Sequence, residues 1–314
     1  MQHIHELGSI HLDDCGLTIG SFDGVHLGHQ SLVRSMVAHT NPLGLPSVVL
    51  TFYPHPSAIL RGRRPTFYIN SPDEKAILLG DLGVDYVITQ RFDHKLSQVS
   101  ADAFLDMVQI HIDFSHLWVG EDFALGHERE GGHRFLETAS VDREFQLHVV
   151  APVLLGAEVV SSTRIRQALR AGNVASVATY LGRTFVVLGE VVAGSNRGKK
   201  LGFPTANLRV QEERAYPRSG VYACIAEVVG RRWPAVTNIG VRPTFEETRS
   251  VDTIEAHLLD FNDDLYRQEM RLGFIDRLRD EQRFSSPEAL IAQIQSDVSR
   301  AREILSPLME MENG

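Results

Sequence analysis

Between Arg197 and Leu208 the chain reads Arg-Gly-Lys-Lys-Leu-Gly-Phe-Pro-Thr-Ala-Asn-Leu, just after an apolar run from Val186 to Val192. These residue types suit a polyphosphate. Arg197, Lys199 and Lys200 bring cationic donors to one loop. Gly194, Gly198 and Gly202 let the backbone take left-handed angles and come close to a ligand. Pro204 fixes one backbone angle, and Thr205 and Asn207 offer oxygens two residues apart. In an extended segment that spacing puts both side chains on one face. A hydroxyl and an amide carbonyl there suit Mg²⁺ or another hard divalent cation. The plainer alternative is a basic surface turn beside an edge strand, with Thr205 and Asn207 bonded to backbone.

A second chemical stretch is Gly20-Ser-Phe-Asp-Gly-Val-His-Leu-Gly-His29, which leads into the helical pattern Leu32, Val33, Met36, Val37. His26 and His29 then sit at a helix N-terminus, where free amides and a dipole charge of roughly +0.5 favour phosphate. Gly28 leaves room for the ligand, and the imidazoles can donate to phosphoryl oxygens as charge builds. Two structural histidines are the plain alternative. A zinc pair is set aside, because no Cys or further His lies nearby in the sequence. Ser161-Ser-Thr-Arg-Ile-Arg166 opens another helix. The hydroxyls of Ser162 and Thr163 can cap it or hold phosphate, with Arg166 one turn in.

The elements that must position these groups differ between the two halves. Leu17–Gly20, Ser47–Phe52, Val84–Ile88, Leu117–Gly120 and Phe145–Val150 read as short buried strands. Helices alternate with them; Ser71-Pro-Asp-Glu74 is a capping box, with Gly83 at the far end. That alternation predicts a parallel sheet covered on both faces, with ligands at the carboxyl ends of its strands. Two short helices end at Gly172 and Gly182, and a Val-rich run begins after Thr184. The second half reads as mostly β. Val221–Val229 and Trp233–Asn238 flank a Gly230-Arg-Arg turn, followed by strands at Thr253–Leu258 and Met270–Phe274. Ser285-Ser-Pro-Glu288 then caps a C-terminal helix whose stripe Leu290, Ile291, Ile294, Val298, Leu305 is core packing.

A length of 314 residues predicts about two domains. The net charge of -9 argues against non-specific nucleic-acid or acidic-membrane binding, so an anionic ligand must be held by local donors. Two cysteines, Cys15 and Cys224, one in each half, suggest reduced thiols in a cytoplasmic protein. Met1-Gln-His-Ile-His-Glu is not expected to act as a signal peptide, and no apolar run approaches the roughly twenty residues that span a bilayer. Small-molecule partners are expected, and self-association into a homo-oligomer is left open.

Gly198–Leu208, Gly220-Val-Tyr222 and Thr237-Asn-Ile-Gly-Val-Arg-Pro-Thr244 closely resemble the riboflavin kinase family. His-x-Gly-His and Ser-Ser-Thr-x-Ile-Arg, with Thr51-Phe-Tyr-Pro-His-Pro56, resemble the FMN adenylyltransferase branch of the nucleotidylyltransferases. Together they are similar to the prokaryotic bifunctional riboflavin kinase/FMN adenylyltransferase (FAD synthetase) family. The resemblance implies a Rossmann-like α/β nucleotidylyltransferase domain over 1–183. It implies a small antiparallel flavokinase β-barrel with a C-terminal helix over 184–314. The implied substrates are ATP, riboflavin and FMN, with FAD as product. Thr205 and Asn207 are implied as holders of Mg²⁺-ATP, under a loop that includes Gly194, Arg197, Gly198, Lys199, Gly202 and Pro204. Glu255 is implied as general base, although by alternation it also reads as a surface glutamate. His26, His29, Ser162, Thr163 and Arg166 are implied at the triphosphate, and Gly20, Phe22, Asp23 and Gly28 in the same nucleotide site. Arg279 is implied as a flavin or phosphate contact, and Asp122 is a candidate flavin contact where some relatives carry Asn. Tyr53, Ala124 and Leu125 depart from the family pattern near the first flavin site. They motivate a monofunctional kinase as the alternative. A non-catalytic flavin or nucleotide sensor is the rival from another class. Arg267 stands where the family carries glycine.

Overall fold

The computed structural model describes residues 1–310 apart from 63–67, 195–197, 199–200, 210, 212 and 244–249. They form two compact units, Met1–Ser162 and Thr163–Gly314.

In the first unit six strands form one parallel sheet in the order β1-β4-β3-β2-β5-β6. They are β1 (Gln2–Ile4), β2 (Gly16–Ile19), β3 (Ser47–Tyr53), β4 (Tyr86–Arg91), β5 (His116–Gly120) and β6 (Gln146–Val150). The helices are α1 (Leu27–Leu43), α2 (Pro56–Arg61), α3 (Pro72–Gly80), α4 (Ala101–Gln109) and α5 (His133–Asp142), and a short pair β7 (Leu154–Leu155) and β8 (Glu158–Val159) follows. One face packs Leu17, Leu50 and Leu117 against Leu105 and Val108 of α4 and Leu136 of α5. The other packs Val49, Val87 and Trp118 against Val33 and Met36 of α1 and Leu79 of α3. Both faces are therefore covered, which is why β2 is buried throughout and reads as an apolar run. Gly16 brings α1 close, since a Cβ there would overlap the Thr40 methyl. β2 lies between β3 and β5, so the strand order reverses beside it, and the crevice for a ligand opens at its carboxyl end.

Two features of this unit differ from the sequence reading. The capping box at Ser71 and Glu74 forms, but α3 ends at Gly80. Gly83, at φ 93°, makes the next turn into β4. The edge strand β1 carries no period that marks it; pairing with β4 alone makes it a strand.

The second unit holds α6 (Ser162–Ala171, beginning at the last residue of the first unit), α7 (Val174–Leu181), a barrel and α8 (Pro287–Glu310). The barrel strands are β9 (Phe185–Val192), β10 (Ala206–Leu208), β11 (Gly220–Val228), β12 (Arg231–Pro243), β13 (Ser250–Leu258) and β14 (Glu269–Arg279). They close in the order β10-β13-β12-β11-β14-β9, all antiparallel. The expected division at 183/184 follows the start of the barrel, whereas by contact α6 and α7 go with the barrel. The Leu169 carbonyl accepts from the Arg218 amide at 2.8 Å, and a Cβ at Gly172 would sit 2.7 Å from Arg277. The β11–β12 turn is Val229-Gly230, both at positive φ, rather than Gly230-Arg-Arg. A two-residue hairpin of this kind requires positive φ at both central positions, so Arg231 and Arg232 enter the strand.

The α8 stripe packs on the barrel through Val298, Ala301 and Leu305, against Val221, Ala223, Ile225 and Val236. Ser286 caps it through the Ala289 amide. Within that stripe lies a buried carboxylate, Asp297, only 6% of whose side chain is exposed. It receives Arg279 Nε at 3.0 Å and Nη2 at 2.8 Å. Arg279, expected at a flavin or phosphate, thus also ties β14 to α8. Removing one partner of a buried pair strands the other charge. Asp297→Ala should lower the stability of the barrel unit by about 3 kcal/mol, read from urea denaturation.

Candidate active sites

The loop from Gly20 to His26 leaves the carboxyl end of β2 and turns into α1. Phe22, Gly24 and Val25 all adopt positive φ, at 46°, 89° and 41°. For Phe and Val this costs on the order of 1–3 kcal/mol each unless the surroundings impose it. Here side chains take the loop's carbonyls one after another. Thr51 Oγ1 and Lys75 Nζ donate to the Ser21 carbonyl at 3.1 and 2.9 Å. Ser162 Oγ donates to that of Asp23 at 2.7 Å, and Gln30 Nε2 to that of Val25 at 2.9 Å.

The strained loop delivers two imidazoles. His26 is the N-cap of α1, and its Nδ1 accepts from the His29 amide at 3.3 Å. With Nδ1 accepting, the neutral ring carries its proton on Nε2 and can donate there. The two rings stack at 3.6 Å, and the Phe22 ring meets His29 edge-on at 5.1 Å. A Cβ at Gly28 would lie 3.2 Å from the His26 ring. Gly20 lies at the strand end, its amide donating to the Leu50 carbonyl at 3.0 Å.

Three other residues expected at the site of this half have the following surroundings. Asp23 is buried, and its carboxylate accepts from the amides of Ile69 and Asn70. Ser162, the last residue of the first unit, donates its hydroxyl to the Asp23 carbonyl. Asp122 is exposed beyond β5, where its carbonyl accepts from Arg129 at 2.7 Å. Arg166 is buried one turn into α6, and Thr163 precedes it in the same helix.

Lys75 is the residue that sequence reading passed over. It is buried on α3 and donates to Thr51 Oγ1 at 2.8 Å as well as to Ser21. Burial holds its ammonium down to about 8, against the pull of Asp23, which favours the charge. A lysine just inside a capping box reads as a solvated helix residue, so no local signal marks it.

In the barrel, register assembles the site. β10 pairs Asn207 with Glu255 of β13, and β13 pairs Glu255 with Asn238 of β12. Three polar side chains thus form one row across three strands, while Ile254 and Ala256 are buried on the opposite face. Asn238 Nδ2 reaches Glu281 Oε1 at 3.4 Å. Gly194 follows β9, and any Cβ there would overlap the Asn207 amide. Gly198 makes a turn, its carbonyl accepting from the Leu201 and Phe203 amides, and Gly202 takes φ 87°. His257, on the same face as Glu255, donates through Nδ1 to the Pro204 carbonyl at 2.8 Å. Period two from Glu255 could have flagged it. Beside Thr205 opens a cavity of about 640 Å³, lined also by Pro204, Ala256, Phe261 and Asp264. Arg197, Lys199, Lys200 and Thr244 lie outside the described residues. Arg267 takes φ 63°, the left-handed conformation that glycine adopts at least cost.

Residues 9–164 match the family model for FAD synthetase, and 181–305 that for riboflavin kinase. The bifunctional riboflavin kinase/FMN adenylyltransferase of Pseudomonas fluorescens is 38% identical over 294 residues, covering 93% of this chain and 94% of that one. The chain belongs to the bifunctional riboflavin kinase/FMN adenylyltransferase family. The relative from Escherichia coli K12 is 37% identical over 304 residues, covering 96% of each chain. A solved structure described as a macrolide-efflux protein from Streptococcus pneumoniae superposes with a TM-score of 0.88 at 29% identity, over 96% of this chain and 98% of that one. The two family models leave 165–180, most of α6 and α7, between them.

Two outcomes follow from the geometry. Gly194→Ala should displace Asn207 and slow riboflavin phosphorylation by about a hundredfold, as roughly ångström misplacement of a positioning group does. Adenylylation of supplied FMN, assayed in parallel, should be unchanged. For Lys75, the unfolded side chain titrates near 10.5 and the folded one near 8. Between those values the unfolded state binds more protons, so stability rises with pH. Measured against Lys75→Met by Trp118 fluorescence in a Trp233→Phe background, stability should rise by about 2 kcal/mol from pH 8 to pH 10.

Proposed function

We propose that this chain makes FAD from riboflavin in two ATP-dependent steps, one in each unit. The observation that carries the reading is the register that sets Asn207 of β10 opposite Glu255 of β13, in one row with Asn238 of β12. In the barrel, Glu255 takes the proton of the riboflavin 5′-hydroxyl as that oxygen attacks the γ-phosphorus of ATP, and ADP leaves with FMN formed. Thr205 and Asn207 form an all-oxygen donor pair of the kind Mg²⁺ prefers, and the bare Gly194 gives the Asn207 amide its room. Bound there, the ion would neutralise phosphate charge. His257 holds the Pro204 carbonyl, and with it the backbone that presents Thr205.

In the first unit an FMN phosphate oxygen attacks the α-phosphorus of a second ATP, and pyrophosphate leaves. That oxygen is already anionic near neutral pH, so the step needs positioning and charge stabilisation rather than a strong base. His26 Nε2–H, His29 and the amides at the start of α1 supply donors to the phosphoryl oxygens. Thr163 and Arg166 are assigned to the same triphosphate by resemblance. Two free, buried thiols support a reducing, cytoplasmic setting. Among the described residues no helix is long and apolar enough to cross a membrane.

Purified protein with riboflavin, ATP and Mg²⁺, followed chromatographically, should show FMN rising and then converting to FAD. FMN that accumulates without FAD would reduce the chain to a monofunctional kinase; no product at all would leave the sensor reading. Glu255→Gln should cut kinase turnover by about 10²–10⁴-fold and spare adenylylation of supplied FMN. His29→Ala should do the reverse, so that FMN accumulates. Equal loss of both activities in either variant would overturn the two-site assignment.

A further inference from the structure

At the far end of α1 from the phosphate-facing histidines, three other imidazoles meet. His39 projects from the last turns of α1, His116 opens β5, and His148 lies in β6. One ring nitrogen from each falls within 4.8 Å of the other two. His39 is ten residues beyond His29, about 15 Å along the helix axis. The cluster is therefore separate from the loop that follows β2.

Its geometry is that of ligands held before an ion arrives. His148 stacks on the Trp118 indole at 4.2 Å, nearly parallel at 7°, which fixes the plane of its ring. His116 is buried at the strand start, whereas His39 is exposed and leaves one side open to solvent. His116 Nδ1 and His148 Nε2 lie 3.0 Å apart. Two nitrogens bound about 2.0–2.1 Å from one tetrahedral ion stand about 3.3 Å apart, so a small opening of this pair accommodates an ion between them. Three imidazoles with an open fourth position suit zinc, cobalt, nickel or copper, and not the oxygen-seeking magnesium. Neither phosphoryl transfer nor flavin binding gives these residues a task.

We propose that His39, His116 and His148 form a binding site for one divalent transition-metal ion of the zinc class, joining α1 to the β5–β6 edge of the sheet. The ion would replace the His116–His148 hydrogen bond and take water in its fourth position.

The test uses the full chain, stripped with chelator and titrated with Co²⁺. A visible d–d band should saturate at one equivalent, and Zn²⁺ should bleach it by displacement. His39→Ala, at an exposed position where folding is preserved, should weaken Co²⁺ binding by at least roughly tenfold. His148→Ala should do the same, whereas His29→Ala should leave the band intact. A band that survives both His39→Ala and His148→Ala, or that disappears in His29→Ala, would overturn the assignment. So would the absence of any one-equivalent band in the unmodified protein. In that case the three rings are a hydrogen-bonded packing cluster and nothing more.

Discussion

The adenylyltransferase half depends on a short loop held in a conformation it would not adopt alone. Phe22 and Val25 sit at positive φ, and no local sequence preference accounts for either. What holds them is a set of donors, Thr51, Lys75, Ser162 and Gln30, aimed at the carbonyls of Ser21, Asp23 and Val25. The donors come from distant points of the first unit, so the loop is set only when β3, α3, α1 and Ser162 have all come together. The consequence is a pair of imidazoles whose orientation is fixed before any nucleotide arrives, as electrostatic preorganisation requires.

The barrel reaches a comparable end by other means. β10 is only three residues long, yet it closes the barrel by pairing with β13 on one side and β9 on the other. Closure puts Asn207 beside Glu255 without any side-chain clamp, because backbone register alone places cross-strand neighbours about 4.5–5.5 Å apart at Cβ. The glycine at 194 is the price of that closeness. A tether from His257 to the Pro204 carbonyl then fixes the segment leading into β10. One site is thus built by buried hydrogen bonds to a strained loop, the other by sheet register.

Charge explains why both sites rely on local donors. A chain with a net charge of -9 repels polyphosphates at long range. On the proposed reading, the donors are oriented amides at the start of α1, individual imidazoles, and oxygens suited to a divalent cation. Arg279 shows the opposite use of a cation: its guanidinium is matched to Asp297 and joins a helix to the barrel.

The sequence by itself determined the order of elements, the two architectures and the chemistry of the main site residues. Apolar runs, capping boxes and glycine stops are local signals, and His26, His29, Thr205, Asn207 and Glu255 stand in motifs whose spacing carries meaning. Only the tertiary structure decided which polar residues hold the backbone, and through which partners. Asp23 and Arg279 look like ligand groups in sequence and are also tied into the protein by charged hydrogen bonds, while Lys75, Asn238 and His257 look unremarkable yet bond to the same loops and strands. The reason is physical. A side chain's role depends on the partner that satisfies it once buried, and those partners lie dozens of residues away in the chain. Register, burial and barrel closure bring them together, and none of these can be read from neighbours in sequence.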